Sequence, residues 1–453
     1  MNSHWVSYLP SFLRIRLDGK HNLQRILNNT GWLFFDKILR MGVGALVGVW
    51  IARYLGPEQF GQINYAMAFV GLFGAIAVLG LDSIVVRDIV RKLDGVNTTL
   101  GTAFVLQLFG SLMAIILITV TITWLRPDDL ITKMVVAIIS ATLFFKSTEV
   151  IKYWFESQVQ SRYTVWVENI AFVITTGIKV SLVLLQASLI AFVWVILAEA
   201  VMISIGLLFI YERQGGRISA WLPQVSRAKS LLKDSWPLLL SNIAIIVYMR
   251  IDQVMLGEML GAKSVGFYSA ANRISEIWYF IPVSIASSVF PAIISSKAIN
   301  QEIYLDRIQK LYDFMSLISI SVSVVVTLCS KQIISILYGA AYIEASPILS
   351  IQIWSGVFVA MGVARGKWLL SENLQHVGYW YVGISMIVNV IGNFILIPSY
   401  GGLGASVATL LAQATTSLGA PALFRSTRIS VAMLIKSLNP ARWFLLISLF
   451  FKK

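Results

Sequence analysis

Two ionisable residues interrupt an apolar run. "IVYMRIDQVMLGEMLG", residues 246–261, follows "PLLLSNIAI" and carries Arg250 and Asp252. A charge at the centre of a bilayer costs about 2.5 to more than 10 kcal/mol, and such residues usually face a partner, a water-filled space or a substrate path. Two positions apart on a helix is about 200° of rotation, so Arg250 and Asp252 face different neighbours. Asn272, Arg273 and Glu276 in the next apolar segment supply partners, with Arg273 and Glu276 one turn apart. Two readings are open. One is a salt-bridge network that fixes packing between neighbouring helices. The other is a cationic cavity tuned by carboxylates.

The same chemistry recurs upstream. Lys146, Glu149, Tyr153 and Glu156 are spaced by three and four, which makes one helix face, with Lys152 beside it. Glu168, Phe172, Thr175 and Lys179 form a second stripe. Lys179 is too deep to snorkel easily, which favours a wet interior. Glu199 stands alone among apolar neighbours, either protonated and packed or a proton carrier. Asp36 and Arg40 share a face with Gly44 and Gly48, either as a local ion pair with close helix packing or as a cavity wall. The cationic candidates for substrate binding are therefore Arg40, Lys146, Lys179, Arg250 and Arg273. The candidates for ion coupling are Glu149, Glu199, Asp252 and Glu276. Buried Arg and Lys favour an anionic substrate such as a phosphate-bearing lipid or a charged sugar.

These residues need helices to hold them, and the composition says where those helices sit. The chain has 453 residues, 57% hydrophobic and 13% charged. A soluble domain carries about 25% charged residues, so an integral membrane protein is expected. Twelve apolar segments approach the length of about 20 residues that a crossing needs. They run approximately over 31–53, 62–85, 99–124, 130–151, 164–186, 188–210, 235–257, 265–292, 311–330, 345–369, 377–397 and 402–424. The last two contain no charged residue. With both termini inside, inner connections hold 25 of the 36 Lys and Arg and outer ones hold 5, which fixes the orientation. The net charge of +14 suits the inner membrane face rather than nucleic acid.

The longest inner loop divides the spans six and six. Leu55-Gly56, Gly61 and Ala66 after span one match Leu260-Gly261, Gly266 and Ala271 after span seven at a constant offset of 205. An even number of crossings per repeat predicts two six-helix bundles related by a pseudo-twofold along the membrane normal, with a site between them. The predicted divisions are an amphipathic or disordered inner segment over 1–28, bundles over 29–211 and 235–424, a cytoplasmic linker over 212–234 and a basic interfacial tail over 425–453. No cleavable leader is expected at the N-terminus.

Several chemistries are not expected. Cys329 is the one cysteine, and His4, His21 and His376 are far apart, so neither a disulfide, a metal site nor a cofactor is predicted. There is no P-loop, nucleophile elbow or HExxH motif. A glycan polymerase or ligase, an enzyme, would need a sizeable outer loop, and every predicted outer loop is about 15 residues or shorter.

Three stretches resemble a known family. "NNTGWLFFDKILRMGVGALVGVWIARYLGPEQFGQINYAMAF" resembles the opening of the Wzx-type O-antigen and repeat-unit flippases. "YMRIDQVMLGEMLGAKSVGFYSAANRISEIWYFIPVSIASSVFPAI" is similar to their seventh and eighth helices, and "YGGLGASVATLLAQ" to their last hairpin. The resemblance spans nearly the whole chain. It implies the fold of the multidrug/oligosaccharidyl-lipid/polysaccharide exporters: an all-α membrane protein of two six-helix bundles around a central cavity. It implies movement of an undecaprenyl-pyrophosphate-linked oligosaccharide from the inner to the outer leaflet of a bacterial inner membrane, coupled to H+ or Na+. Membrane lipids, a glycan polymerase and glycosyltransferases are the implied partners. The family has no sharp catalytic motif; Arg250 and Asp252 match a recurrent pattern of span seven without an assigned role. A drug/cation antiporter of the related extrusion group is the alternative, and the excess of buried cations counts against it.

Overall fold

The computed structural model describes residues 21–91, 95–297 and 299–444, with side chains from Arg40 onward. Most of the segment expected over 1–28 and the end of the tail therefore lie outside the described residues, as does the Asp36 side chain. All regular elements among the described residues are helical. Among the described residues, ten helical stretches are long and apolar enough to cross a membrane.

Two of those stretches are broken in the middle, which reconciles ten with the predicted twelve. Helix α1, His21–Val78, has 58 residues and is interrupted at Gly56, where φ is 70° and ψ is 172°. Unbroken, it would be about 87 Å long against a hydrocarbon core of about 30 Å. Pro57 follows the break and starts the second segment, where a missing N–H costs nothing. Further along, α13, Gln375–Ala414, is interrupted at Gly401 in the same way. Between them the order is α2 (Asp82–Arg91), α3 (Val96–Leu125), α4 (Leu130–Phe145), α5 (Val150–Ser157), α6 (Arg162–Leu184) and α7 (Leu189–Arg213). Then follow α8 (Val225–Leu260), α9 (Ala262–Trp278), α10 (Phe280–Lys297), α11 (Gln301–Tyr338) and α12 (Ala345–Ser371). A π turn over Thr415–Gly419 extends α13 into α14 (Ala420–Leu423), and α15 (Arg428–Ser437) closes the described chain.

The helices invert the burial pattern of soluble proteins. Along α3, Gly110, Ser111, Ala114 and Ile118 are buried, while Phe109, Ile116, Val120 and Trp124 are more than half exposed. Small residues let helices approach, and large apolar ones face the lipid.

The chain forms two compact units that are interleaved in sequence: 1–48, 74–128 and 137–239 in the first, and 49–73, 129–136 and 240–453 in the second. The predicted linker packs within the first unit. Trp221 lies against Phe104 and Tyr211, and Arg227 bonds Asp88 and Thr99. Residues 49–73 pack within the second unit. There the Tyr342 hydroxyl donates to Ala52 O at 2.8 Å, and Arg53 Nη2 donates to Ile336 O at 2.7 Å.

The internal echo has a structural counterpart. Gly261, between α8 and α9, has φ 86° and ψ 174°, nearly the conformation of Gly56. The matched glycines Gly61 and Gly266 stand at close backbone approaches: a Cβ on Gly61 would collide with the Ala262 carbonyl, and one on Gly266 with the Pro57 carbonyl. Helix α15 is seated in the core of the second unit through Met433 and Leu434. Arg442 beyond it bonds Asp313 at 3.0 Å.

Candidate functional site

The second unit holds a carboxylate surrounded by neutral partners. Asp252 on α8 is 3% exposed. Its Oδ2 accepts from the Tyr268 hydroxyl of α9 and from Thr409 Oγ1 of α13, both at 2.6 Å. Its Oδ1 accepts from Asn393 Nδ2, also on α13. Asn393 Nδ2 further meets Asn389 Oδ1 at 3.3 Å. Tyr268, Asn389, Asn393 and Thr409 are all buried. Among the described residues, Asn393 Oδ1 has no bonding partner. Buried polar atoms usually find one, so this oxygen has capacity for a further partner.

Sequence reasoning singled out Asp252 and missed its neighbours. The expected partners Asn272, Arg273 and Glu276 bond elsewhere or differently. Asn272 Nδ2 donates to Glu276 at 2.9 Å, and Asn272 Oδ1 accepts from Gln352 at 2.9 Å. No salt bridge among the described residues reaches Asp252, so the packing network predicted between spans seven and eight does not involve it. Its partners are Tyr268 of α9 and, from the charge-free helix segments near the end of the chain, Asn393 and Thr409. Arg250 is partly exposed and makes no ion pair among the described residues. Arg273 lies within electrostatic reach of Tyr338.

The first unit treats its charges differently. Arg40 Nη2 stands 3.3 Å from Glu168 and over the Phe172 ring. Lys152 joins the same carboxylate at 2.5 Å and Glu149 at 3.4 Å. Lys179 Nζ bonds Glu199 at 2.9 Å, with 21% and 25% of the two side chains exposed. Lys179 is thus neither unpaired nor sealed, and Glu199 is a counterion rather than the lone carboxyl that its sequence context suggested. The stripe predicted over Glu168, Phe172, Thr175 and Lys179 does bring Glu168 and Phe172 together at Arg40. Lys146 lies in a tight 3-10 turn, Lys146–Glu149, beside Gly74, with no ion pair among the described residues.

A cavity of about 530 Å³ opens in the first unit, lined by Asp82, Ser83, Arg87, Glu149, Tyr153 and Glu156 among others. Its lining is acid-rich, and none of the five cationic candidates belongs to it. Among the described residues no cluster of His, Cys, Asp and Glu could hold a metal ion in the manner of a structural site.

Known proteins share this architecture. A 25% identical relative over 85% of this chain and 80% of its own length is the "Probable low-salt glycan biosynthesis flippase Agl15" of Haloferax volcanii. Another is a "Putative O-antigen transporter" of Shigella flexneri, 24% identical over 84% of this chain and 93% of that protein. Among solved structures, an inward-facing multidrug resistance MATE family transporter of the MOP superfamily matches with a TM-score of 0.70 at 14% identity, over 88% of this chain and 95% of that one. The lipid II flippase MurJ in an inward closed conformation matches with a TM-score of 0.66 at 13% identity, over 94% of this chain and 93% of that one. A MatE family model matches residues 237–395. The family model described as polysaccharide biosynthesis protein matches residues 26–297, about 60% of the sequence, and the chain belongs to that family.

Proposed function

We propose that this chain is a sodium-coupled flippase for lipid-linked oligosaccharides. It carries an undecaprenyl-pyrophosphate-linked glycan from the inner to the outer leaflet of a bacterial inner membrane, with both termini cytoplasmic. The observation that carries the coupling is Asp252: one buried carboxylate with hydroxyl and amide partners drawn from α9 and α13, and an orphaned amide oxygen beside it. A single carboxylate balances one monovalent cation. Rotation of the Asn393 amide turns its free oxygen toward Asp252, and Thr409 adds a hydroxyl oxygen. Such a set of hard oxygens suits Na+. The glycan-lipid cargo rests on the relatives named for O-antigen transport and glycan flipping.

Arg250 meets the pyrophosphate head, because it is partly exposed and makes no ion pair among the described residues. Arg250 sits about 200° around α8 from Asp252. One helix therefore presents an anion-binding group on one side and a cation-binding group on the other, and its movement links the two.

The test is reconstitution of the full chain in liposomes with an undecaprenyl-pyrophosphate oligosaccharide bearing a fluorophore. Flipping should accelerate with a Na+ gradient and stay at the unstimulated rate with choline. Equal rates in both salts remove the coupling. Gradient-driven efflux of a cationic dye with no movement of the glycan lipid would instead favour drug extrusion, which the MatE match keeps in view.

A further inference from the structure

Arg365 is a buried guanidinium in the second unit, on α12, 3% exposed. No carboxylate among the described residues bonds it. Its Nη1 donates to Ser417 O at 2.6 Å, its planar group lies 4.8 Å from the Tyr381 ring centroid, and its Nε has no partner among the described residues. An uncompensated charge this deep is expensive and calls for a reason.

The reason begins in the sequence "TTSLGAPAL", 415–423. In an α-helix the Ser417 carbonyl would accept from the N–H of residue 421, which is Pro421 and has none. The backbone answers with a π turn over Thr415–Gly419, in which Ala420 N–H reaches back five residues to Thr415 O. The orphaned Ser417 carbonyl receives Arg365 instead. Widened turns of this kind cluster at functional sites.

The turn is tied to the Asp252 cluster. Thr416 Oγ1 lies 2.6 Å from Ser385 Oγ and 3.5 Å from the Tyr248 hydroxyl. Tyr248 is one turn before Asp252. Ser385, Asn389 and Asn393 follow at intervals of four on one fully buried face of α13. Tyr381, beneath the guanidinium, begins that face, and its backbone carbonyl accepts from Ser385 Oγ at 2.7 Å. A continuous polar seam thus joins Arg365 to α8, which carries Asp252, and to α13, which carries Asn393 and Thr409. Thr409 stands on the same helix segment as the turn, two turns ahead of Thr416.

The geometry points to Arg365 as a positioning residue for the cation site, a role that rests on the sodium-coupled reading above. By supplying the donor that Pro421 lacks, Arg365 holds the π turn and so sets the register in which Thr409 and Asn393 meet Asp252. It touches neither cation nor glycan.

The test is radioactive Na+ binding to the purified full chain in nanodiscs. Arg365→Met should raise the half-saturating Na+ concentration about tenfold and leave the maximal bound Na+ per protein unchanged. Pro421→Ala restores an N–H at residue 421, so the Arg365→Met/Pro421→Ala double variant should return to within about threefold of the parent protein. Arg365→Lys keeps a donor without the stacked plane and should fall between. Two results overturn the assignment: Arg365→Met binding like the parent, or a defect that Pro421→Ala does not relieve, which would mean that the charge itself matters. If Arg365→Met does not accumulate, the same comparison between Arg365→Lys with and without Pro421→Ala decides. A parent protein that binds no Na+ removes the sodium-coupled reading and this inference together; a parent that binds with Arg365→Met unaltered removes only the inference.

Discussion

The two units share ion pairing, since the second holds the buried Asp313 against Arg442, but they differ in how other charges are met. In the first, Arg40, Lys152 and Lys179 each stand against Glu168, Glu149 or Glu199, with roughly a fifth to a third of each side chain exposed. In the second, Asp252 and Arg365 are both 3% exposed, and each bonds only neutral groups. Partly wet ion pairs are individually weak and replaceable. A dry carboxylate held by hydroxyls and amides keeps its attraction for a cation, because nothing nearby has neutralised it. Under the sodium-coupled reading proposed above, the first pattern serves packing and Asp252 serves ion chemistry.

The most damaging change should be backbone crowding in the second unit. Gly266→Val places a side chain against the Pro57 carbonyl, where the backbone cannot yield. Overpacking of this kind costs on the order of 3 kcal/mol. The melting temperature of the detergent-solubilised protein should fall sharply, and an unchanged value would show that the 49–73 segment is not held at this turn. Next comes Asn393→Leu, which removes a donor to Asp252 Oδ1 and the free amide oxygen together. An unsatisfied buried acceptor costs about 1–3 kcal/mol. Na+ affinity should drop tenfold or more, measured by sodium-dependent thermal stabilisation. The mildest is Lys179→Met, which leaves Glu199 unpaired but partly wet. Its effect on stability should be about 1 kcal/mol and should be relieved in the Lys179→Met/Glu199→Gln double variant, as a double-mutant cycle on the melting curve would report. A loss as large as that of Asn393→Leu would erase the contrast between the units.

Much of this fold is visible in the chain because lipid leaves few options. Apolar runs of about 20 residues bounded by "YLGPEQFG" or "PSYGG" must be crossings, and the breaks fall at Gly56 and Gly401. Asp252 is visible for the same reason, since a carboxylate in such a run is costly. Its partners are quiet. Asn389, Asn393 and Thr409 are each ordinary in a membrane helix, and they meet Asp252 across 137 to 157 positions of sequence. The interval of four linking Tyr381, Ser385, Asn389 and Asn393 is the signal that could have found them. Arg365 was hidden by its place near a helix end, where a cation counts toward an inner loop; only the geometry shows it buried. The ion pairs of the first unit escaped for a related reason. Spacing shows which residues share a face, and it does not show which face of another helix arrives opposite.

Sodium binding by two single variants compared side by side tests the central claim most directly. Asp252→Asn keeps the shape and an oxygen but removes the charge; Glu199→Gln does the same to the paired carboxylate of the first unit. The account predicts that Asp252→Asn abolishes saturable Na+ binding while Glu199→Gln binds within about twofold of the parent protein. Retained binding in Asp252→Asn, or its loss in Glu199→Gln, would contradict it.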